Sequence, residues 1–223
     1  MTQTWNDLLF AHWPIDPEPL RRHVPNELPL DTFDGRCWIA VAPFHMSRIR
    51  ARGLPPIPGL SRIPELNVRT YVTLKGKPGV YFFSLDTPSA MAVWAARTFY
   101  RLPYFRATMT VNRSGDTINY SSARRTTKAE FQASYGPTAP VQLRARGTLE
   151  HWLTERYCLY TVAKGDVYRA EIHHHPWPLQ NAAAQIEVNS MTVAAGIALP
   201  QLPPLLHFSR SLEVLIWPFR KAL

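Results

Sequence analysis

Polar and apolar side chains alternate along the segment Pro64-Glu65-Leu66-Asn67-Val68-Arg69-Thr70-Tyr71-Val72-Thr73-Leu74-Lys75. An alternation of period two predicts a β-strand, because successive side chains of a strand point to opposite faces. The two faces would carry Glu65, Asn67, Arg69 and Tyr71 on one side, and Leu66, Val68, Thr70 and Val72 on the other. The polar face either points at water, as in an ordinary half-buried strand, or forms a polar patch inside a barrel or cleft. The sequence leaves both interpretations open.

The segments on either side extend this strand into a hairpin with a loop before it. Lys75-Gly76-Lys77-Pro78-Gly79 is typical of a turn, and the apolar run 80–85 is predicted to return beside the first strand. Residues 50–64 contain three prolines and two glycines before Pro64, which exclude a regular helix or strand and favour a loop. This loop is a candidate lid over the polar face.

The rest of the chain is predicted to consist of short strands with few helices. Asp34-Gly35 indicates a tight turn between strands at 28–33 and 36–46. Further strands are predicted at 8–13, 104–111, 117–125, 130–135, 154–163, 167–174, 185–190 and 212–217. Helices are predicted at 17–24, after a capping Asp16, and at 88–101, with short helical turns at 182–185 and 191–197. This pattern predicts a single domain over 1–223 with an α+β fold, mainly an antiparallel β-barrel or cone with a few short helices.

Composition limits the classes of partner. Hydrophobic residues make up 46% and charged residues 18% of the 223 residues, which is typical of a globular protein. The net charge of +9 invites a nucleic-acid partner, but the arginines are scattered and form no basic helix, so we expect none. The sequence contains no apolar run of about 20 residues, and its N-terminus does not resemble a signal peptide. We therefore expect a cytoplasmic protein with no membrane partner, in which Cys37 and Cys158 are reduced thiols.

Familiar catalytic motifs are missing from the sequence. No nucleophile elbow, dinucleotide fingerprint or phosphate loop is found, which predicts no nucleotide cofactor. His173 and His175 would share one face of a strand, but no third metal ligand accompanies them, so we expect no metal. The five lysines lie in turns, in the tail or in a polar segment, which disfavours a Schiff-base nucleophile. The polar strand remains the best candidate site, in which a buried Glu65 beside Arg69 would be either paired or strongly perturbed.

Several ordered segments resemble the YqjF-like family of uncharacterised bacterial proteins: Leu9-Phe10-Ala11-His12-Trp13-Pro14, Leu30-Asp31-Thr32-Phe33-Asp34-Gly35, the strand at 64–72, Phe83-Ser84-Leu85-Asp86, and Leu102-Pro103-Tyr104. The relatives of this family look like acetoacetate decarboxylase, which implies a largely antiparallel barrel or cone with an internal cavity. The resemblance places Tyr104 where the decarboxylase has its nucleophilic lysine, and Phe105 where it has the lysine that lowers the pKa of the first. Glu65 looks like the counterpart of one active-site glutamate, whereas the other glutamate is replaced by an apolar residue near Ala40. Without the lysine, the imine route to decarboxylation is unavailable.

These observations lead to one leading hypothesis and two alternatives. The leading hypothesis is that the barrel cavity binds or transforms a small oxo or hydroxy acid, with catalytic roles for Glu65, Arg69 and Tyr104 and ligand contacts from Asn67, Tyr71 and Arg97. Such an enzyme would be lyase-like or isomerase-like and would lack a catalytic lysine. The alternatives are a non-catalytic ligand sensor or binding scaffold, and a basic protein associated with nucleic acid. The sequence leaves open whether the chain forms a homo-oligomer.

Overall fold

A computed structural model describes residues 1–50, 53 and 62–222 of the chain. These residues form the strands β1 (Thr2–Ile15), β2 (Cys37–Arg50), β3 (Ile63–Leu74), β4 (Lys77–Thr87), β5 (Tyr104–Ser114), β6 (Thr117–Arg124), β7 (Glu130–Pro137), β8 (Cys158–Ala163), β9 (Asp166–His174), β10 (Gln180–Asn189), β11 (Leu205–Ile216) and β12 (Arg220–Lys221). The helices are α1 (Pro17–Arg21), α2 (Ala90–Ala95) and α3 (Leu149–Thr154), with a π-helical turn at Ala96–Tyr100 and a 3-10 turn at Val193–Ala195. The fold is therefore mostly β-sheet with a few short helices.

The strands pair in the order β12-β9-β8-β4-β3-β2-β1-β11-β10-β7-β6-β5. Two further pairings, β9 with β11 and β4 with β5, join strands that are far apart in this order. Every strand pair is antiparallel except β4–β5 and β4–β8, which are parallel. The prediction of mainly antiparallel strands with few helices is therefore confirmed.

Both faces of β3 are buried, which explains why this strand is central to the molecule. Leu66, Val68 and Val72 belong to one hydrophobic core, which includes residues of β6 and β7. Tyr71 belongs to a second core on the other side, together with residues of β4, β8 and β9. The polar face of β3 thus points into the protein, and its charged side chains must be satisfied without bulk water.

The pairing register fixes the position of each polar residue of β3. Glu65 lies opposite Phe44 of β2, and Arg69 lies opposite Ala40. The pairing with β4 shifts by one residue between Val68 and Arg69, which marks a bulge. The polar residues of the candidate site therefore lie on a strand that is hydrogen-bonded to a neighbour on each side.

Several predicted elements differ from the structure. Residues 28–33 form no strand but two isolated bridges, from Leu30 to Val72 and from Phe33 to Arg36, and the positive φ angles of Asp34 and Gly35 make the predicted turn. Asp16 occupies the N-cap position of α1 before Pro17, as predicted, but its side chain makes no cap hydrogen bond. The helix ends at Arg21, three residues before its predicted end.

Two predictions late in the chain also need correction. Residues 182–185 are part of strand β10 and not a helical turn, because their side chains alternate between more and less exposed positions. Residues 154–157 precede β8, and helix α3, whose N-cap is Thr148, was missed. Positions 51, 52 and 54–61 of the predicted lid lie outside the described residues.

Candidate functional site

The polar face of β3 lines a small cavity of about 40 Å³. Its polar lining comprises Glu65, Asn67, Arg69, Thr154, Arg156 and His174, and its apolar lining comprises Trp5, Leu8, Phe44, Val80, Phe82, Ile172 and Trp177. A cavity of this size has room for a few water-sized groups, since one water needs about 10–15 Å³. Apolar walls with a few convergent polar groups are typical of small-molecule sites.

Glu65 is the acidic residue of the cavity and is only 4% exposed. The hydroxyl of Tyr104 donates a hydrogen bond to Glu65 Oε2 at 2.6 Å. Burial raises the pKa of Glu65 to about 7, although hydrogen bonds from Tyr104 and Asn67 oppose this rise. The carboxyl can therefore give or accept a proton near neutral pH.

Tyr104 is brought to Glu65 by the start of β5. The parallel pairing of β5 with β4 places Tyr104 opposite Leu85, and the Tyr104 carbonyl accepts a hydrogen bond from Arg97 Nε at 2.6 Å. Burial and the nearby Glu65 carboxylate raise the pKa of the Tyr104 phenol well above its ordinary value, so this group stays a neutral donor. Neither Tyr104 nor Arg97 is among the described residues that line the cavity: Tyr104 contacts the Glu65 carboxyl, and the exposed Arg97 contacts the backbone of Tyr104.

Arg69 makes no salt bridge with any described residue, although its side chain hydrogen bonds to Tyr71. Its side chain is buried at 7% exposure, and its Nε has no hydrogen-bond partner in the part of the chain that the structure describes. Its guanidinium carbon lies 5.2 Å from the ring centre of Phe10 and 6.0 Å from that of Tyr71. Of the two outcomes expected for a buried Glu65, a pair with Arg69 or a strong perturbation, the structure shows the second: Glu65 bonds Tyr104, and burial raises its pKa.

Tyr71 shares the polar face of β3 but is not one of the described residues that line the cavity. Its hydroxyl is 2.7 Å from Nε2 of His12, and both groups are buried. Burial, with a further effect from Arg69, lowers the pKa of His12 well below its ordinary value, so this imidazole is neutral. Tyr71 therefore supports the wall behind Arg69 and does not face the space in which a ligand would lie.

The opposite wall contains polar residues that the sequence did not single out. Arg156, just after α3, lines the cavity, and its Nη1 lies 2.5 Å from an Asp31 carboxylate oxygen. His174, at the end of β9, also lines it, and its Nδ1 is 2.7 Å from the carbonyl of His175. Burial lowers the pKa of His174, which favours the neutral imidazole. The run of histidines was the only signal for this wall, and alternation along β9 assigns the middle one to the interior.

His173 and His175, which the alternation places on one face of a strand, are both exposed. Within residues 1–50, 53 and 62–222, no three histidine, cysteine or acidic side chains form a group that could hold a metal ion. The same residues include no helix that is long and apolar enough to cross a membrane.

Comparison with solved structures defines the class of fold. Acetoacetate decarboxylase from Legionella pneumophila subsp. pneumophila str. Philadelphia 1 superposes with a TM-score of 0.68 at 12% identity, over 100% of this chain and 87% of that one. The enduracididine biosynthesis enzyme MppR complexed with pyruvate gives the same score and identity, over 99% and 89%. The fold is therefore that of the acetoacetate decarboxylase-like proteins.

Sequence comparison then identifies the family within this class. The family DUF2071, described as an uncharacterized conserved protein, matches residues 2–213. The uncharacterized protein YqjF of Bacillus subtilis (strain 168) is 54% identical over 222 residues, which cover 99% of this chain and 92% of that protein. The chain belongs to this family, as its sequence motifs indicate.

Proposed function

We propose that the cavity binds a small organic acid through Arg69 and that Glu65 acts on the bound molecule by proton transfer or hydrogen bonding, with Tyr104 as the hydrogen-bond donor that holds the Glu65 carboxyl. In this proposal the sheet forms a barrel or cone around the cavity. The observation that carries the proposal is the buried guanidinium of Arg69, which has no carboxylate within salt-bridge distance among the described residues. A ligand carboxylate would supply that missing charge.

A buried charge without an opposite charge beside it destabilises the protein. Removing an ion from water costs several kcal/mol unless an opposite charge or good hydrogen bonds compensate. The aromatic rings near Arg69 return about 0.5–2 kcal/mol by cation–π attraction, which is only part of that cost. A carboxylate accepts charge-assisted hydrogen bonds from a guanidinium and can do so with two oxygens at once.

Glu65 supplies the chemistry at the other end of the polar face. Glu65 and Arg69 are four positions apart on β3, which places their Cα atoms about 13 Å apart. The long side chain of Arg69 shortens the distance that a ligand between the two groups must bridge. With a pKa of about 7, the Glu65 carboxyl holds a proton on some molecules and lacks it on others at neutral pH. General acid–base catalysis works best with such a group.

The proposed mechanism does not use a Schiff base. The five lysines are Lys75, Lys77, Lys128, Lys164 and Lys221, and none of them lines the cavity. Lys77 pairs with Glu171 and Lys221 with Asp166. A lyase-like or isomerase-like reaction would therefore depend on the Glu65 carboxyl, held by the Tyr104 phenol, and the complex of MppR with pyruvate supports an oxo acid or related acid as the ligand class.

The binding step is tested by thermal unfolding with propionate, lactate and pyruvate as probes. We expect the acids to raise the melting temperature of the wild-type protein, and Arg69→Met to weaken binding by about tenfold or more, because a bidentate charged contact is lost. Arg125→Met, which removes an exposed arginine, is the matched control and should bind as the wild type does. Since Arg69→Met replaces a buried charge with an apolar side chain, the variant should remain folded.

The proposal is wrong if none of the acids stabilises the wild-type protein, or if Arg69→Met binds them unchanged. Turnover then separates an enzyme from a ligand sensor or binding scaffold. A panel of oxo and hydroxy acids is followed by proton NMR with the wild type and with Glu65→Gln. Conversion that is lost in Glu65→Gln while binding persists indicates catalysis, whereas stabilisation without conversion by either protein indicates a sensor.

A further inference from the structure

The side chains that line the cavity carry more unpaired hydrogen-bond donors than unpaired acceptors. Four lining residues each have a buried N–H donor without a partner among the described residues, namely Trp5 Nε1, Arg69 Nε, Arg156 Nη2 and Trp177 Nε1. A single buried side-chain acceptor in the same lining is likewise unpaired, Asn67 Oδ1. A molecule that pairs all of these groups must accept several hydrogen bonds and donate at least one.

The orientation of the Asn67 amide follows from its hydrogen bond to Glu65. Its side chain hydrogen bonds to Glu65 and thereby opposes the rise of the carboxyl pKa, which requires the amide nitrogen to be the donor. The amide oxygen, Oδ1, is then the atom without a hydrogen-bond partner among the described residues, and Asn67 is 4% exposed. A buried acceptor without a donor costs about 1–3 kcal/mol, so this oxygen favours a ligand that brings its own O–H or N–H group.

The positions of Asn67 and Arg69 set the size of that ligand. They are two residues apart on one face of β3, which places their Cα atoms about 7 Å apart. The cavity of about 40 Å³ accommodates only a few non-hydrogen atoms. A carboxylate at Arg69 and a donor at Asn67 must therefore be joined by one or two carbons.

We infer that the site selects a short hydroxy acid over the corresponding oxo acid, with Asn67 as the residue that determines this specificity. This inference rests on the proposed function, because it assumes that Arg69 holds the carboxylate. The ligand hydroxyl donates to Asn67 Oδ1, whereas the carbonyl of an oxo acid can only accept and leaves that oxygen unpaired. Sites that pair a substrate hydroxyl reject analogues that lack it much more strongly than apolar pockets reject a missing methylene group.

Isothermal titration calorimetry with lactate, pyruvate and propionate tests the inference, because these acids share a three-carbon chain and differ at carbon 2. We expect the wild type to bind lactate about tenfold more tightly than the other two. Asn67→Leu should lower the affinity for lactate to that for propionate and leave the affinity for propionate unchanged. Asn112→Leu, at an exposed position of β5, is the control and should keep the preference.

The outcomes separate this inference from the proposed function. Equal or tighter binding of pyruvate by the wild type, with both acids lost in Arg69→Met, overturns the hydroxy-acid preference and leaves the proposed function standing. A preference for lactate that survives Asn67→Leu overturns the role of Asn67. Failure of all three acids to bind the wild type overturns the proposed function together with the inference built on it. The comparison of ligands on the wild type needs no variant, so it holds even if Asn67→Leu fails to fold.

Discussion

The Glu65 carboxyl links the candidate site to the pH dependence of stability. A Glu in an unfolded chain loses its proton near pH 4.5, whereas the folded protein keeps the Glu65 proton up to about pH 7. Between these values the folded state binds more protons than the unfolded state, so the free energy of unfolding contributed by this group falls as pH rises. The stabilising contribution is fully present below pH 4.5 and is lost above about pH 7.

Glu65→Gln should remove this pH dependence, because an amide stays neutral throughout. From pH 5 to pH 8 we expect the unfolding free energy of the variant to rise relative to the wild type by about 2 kcal/mol. Urea unfolding of both proteins at the two pH values measures the change. Glu130→Gln, at an exposed position of β7, should show no comparable change with pH. A constant difference between Glu65→Gln and the wild type would contradict the raised pKa.

At the scale of the element, strand β4 depends on the absence of a side chain at Gly79. A Cβ atom at this position would lie 2.7 Å from Cys158 Sγ and 2.8 Å from the Cys158 carbonyl oxygen. Backbone cannot yield as a flexible side chain does, so Gly79→Ala should push β4 away from β8 and destabilise the protein by about 1–3 kcal/mol. Urea unfolding measures the loss.

The neighbouring turn provides the control for Gly79. Gly76 has a φ of +74°, and nothing lies within 4 Å of a Cβ placed there. Asn tolerates this left-handed conformation better than other residues, so Gly76→Asn should cost far less than Gly79→Ala. Equal losses in the two variants would mean that close packing against β8 does not determine the stability at Gly79.

The elements also show what could be predicted from sequence. The hairpin of β3 and β4 was predictable because its alternation and the turn at Lys75-Gly76 are local signals, although Pro78 and Gly79 of the predicted turn belong to β4. The burial of both faces of β3 was not, because it depends on β6, β7 and β9, which are remote in sequence. For the same reason Glu65 was a candidate from the start, whereas Arg156 was missed: it follows a helix that was itself not predicted and reaches the site only through the packing of that helix.

At the scale of the whole molecule, the reactivity of the two buried cysteines measures unfolding of the protein. Cys37 and Cys158 are free and fully buried, and burial raises the pKa of the Cys37 thiol to about 11. Thiolates are the reactive form, so both residues should resist a disulfide reagent such as Ellman's reagent until the protein unfolds. We expect reaction within the time of mixing in denaturing guanidinium, and in native buffer only at the rate of unfolding.

Ser114→Cys supplies the positive control, because this exposed position at the end of β5 should react at once in the folded protein. Rapid reaction of both native cysteines under native conditions, at a rate unrelated to unfolding, would show that β2 and β8 open locally. The absorbance of the released thiolate measures each rate.

The burial of both faces of β3 has a consequence for how the chain finds its fold. A slip of β3 by one residue would exchange its faces, because successive side chains point to opposite sides. Leu66 and Val68 would then enter the polar cavity, while Glu65 and Arg69 would enter an apolar core with no partner for either charge. The side chains that we assign to ligand binding thus also favour the correct strand register, because a shifted register would bury both charges without partners and raise the free energy of the misaligned sheet.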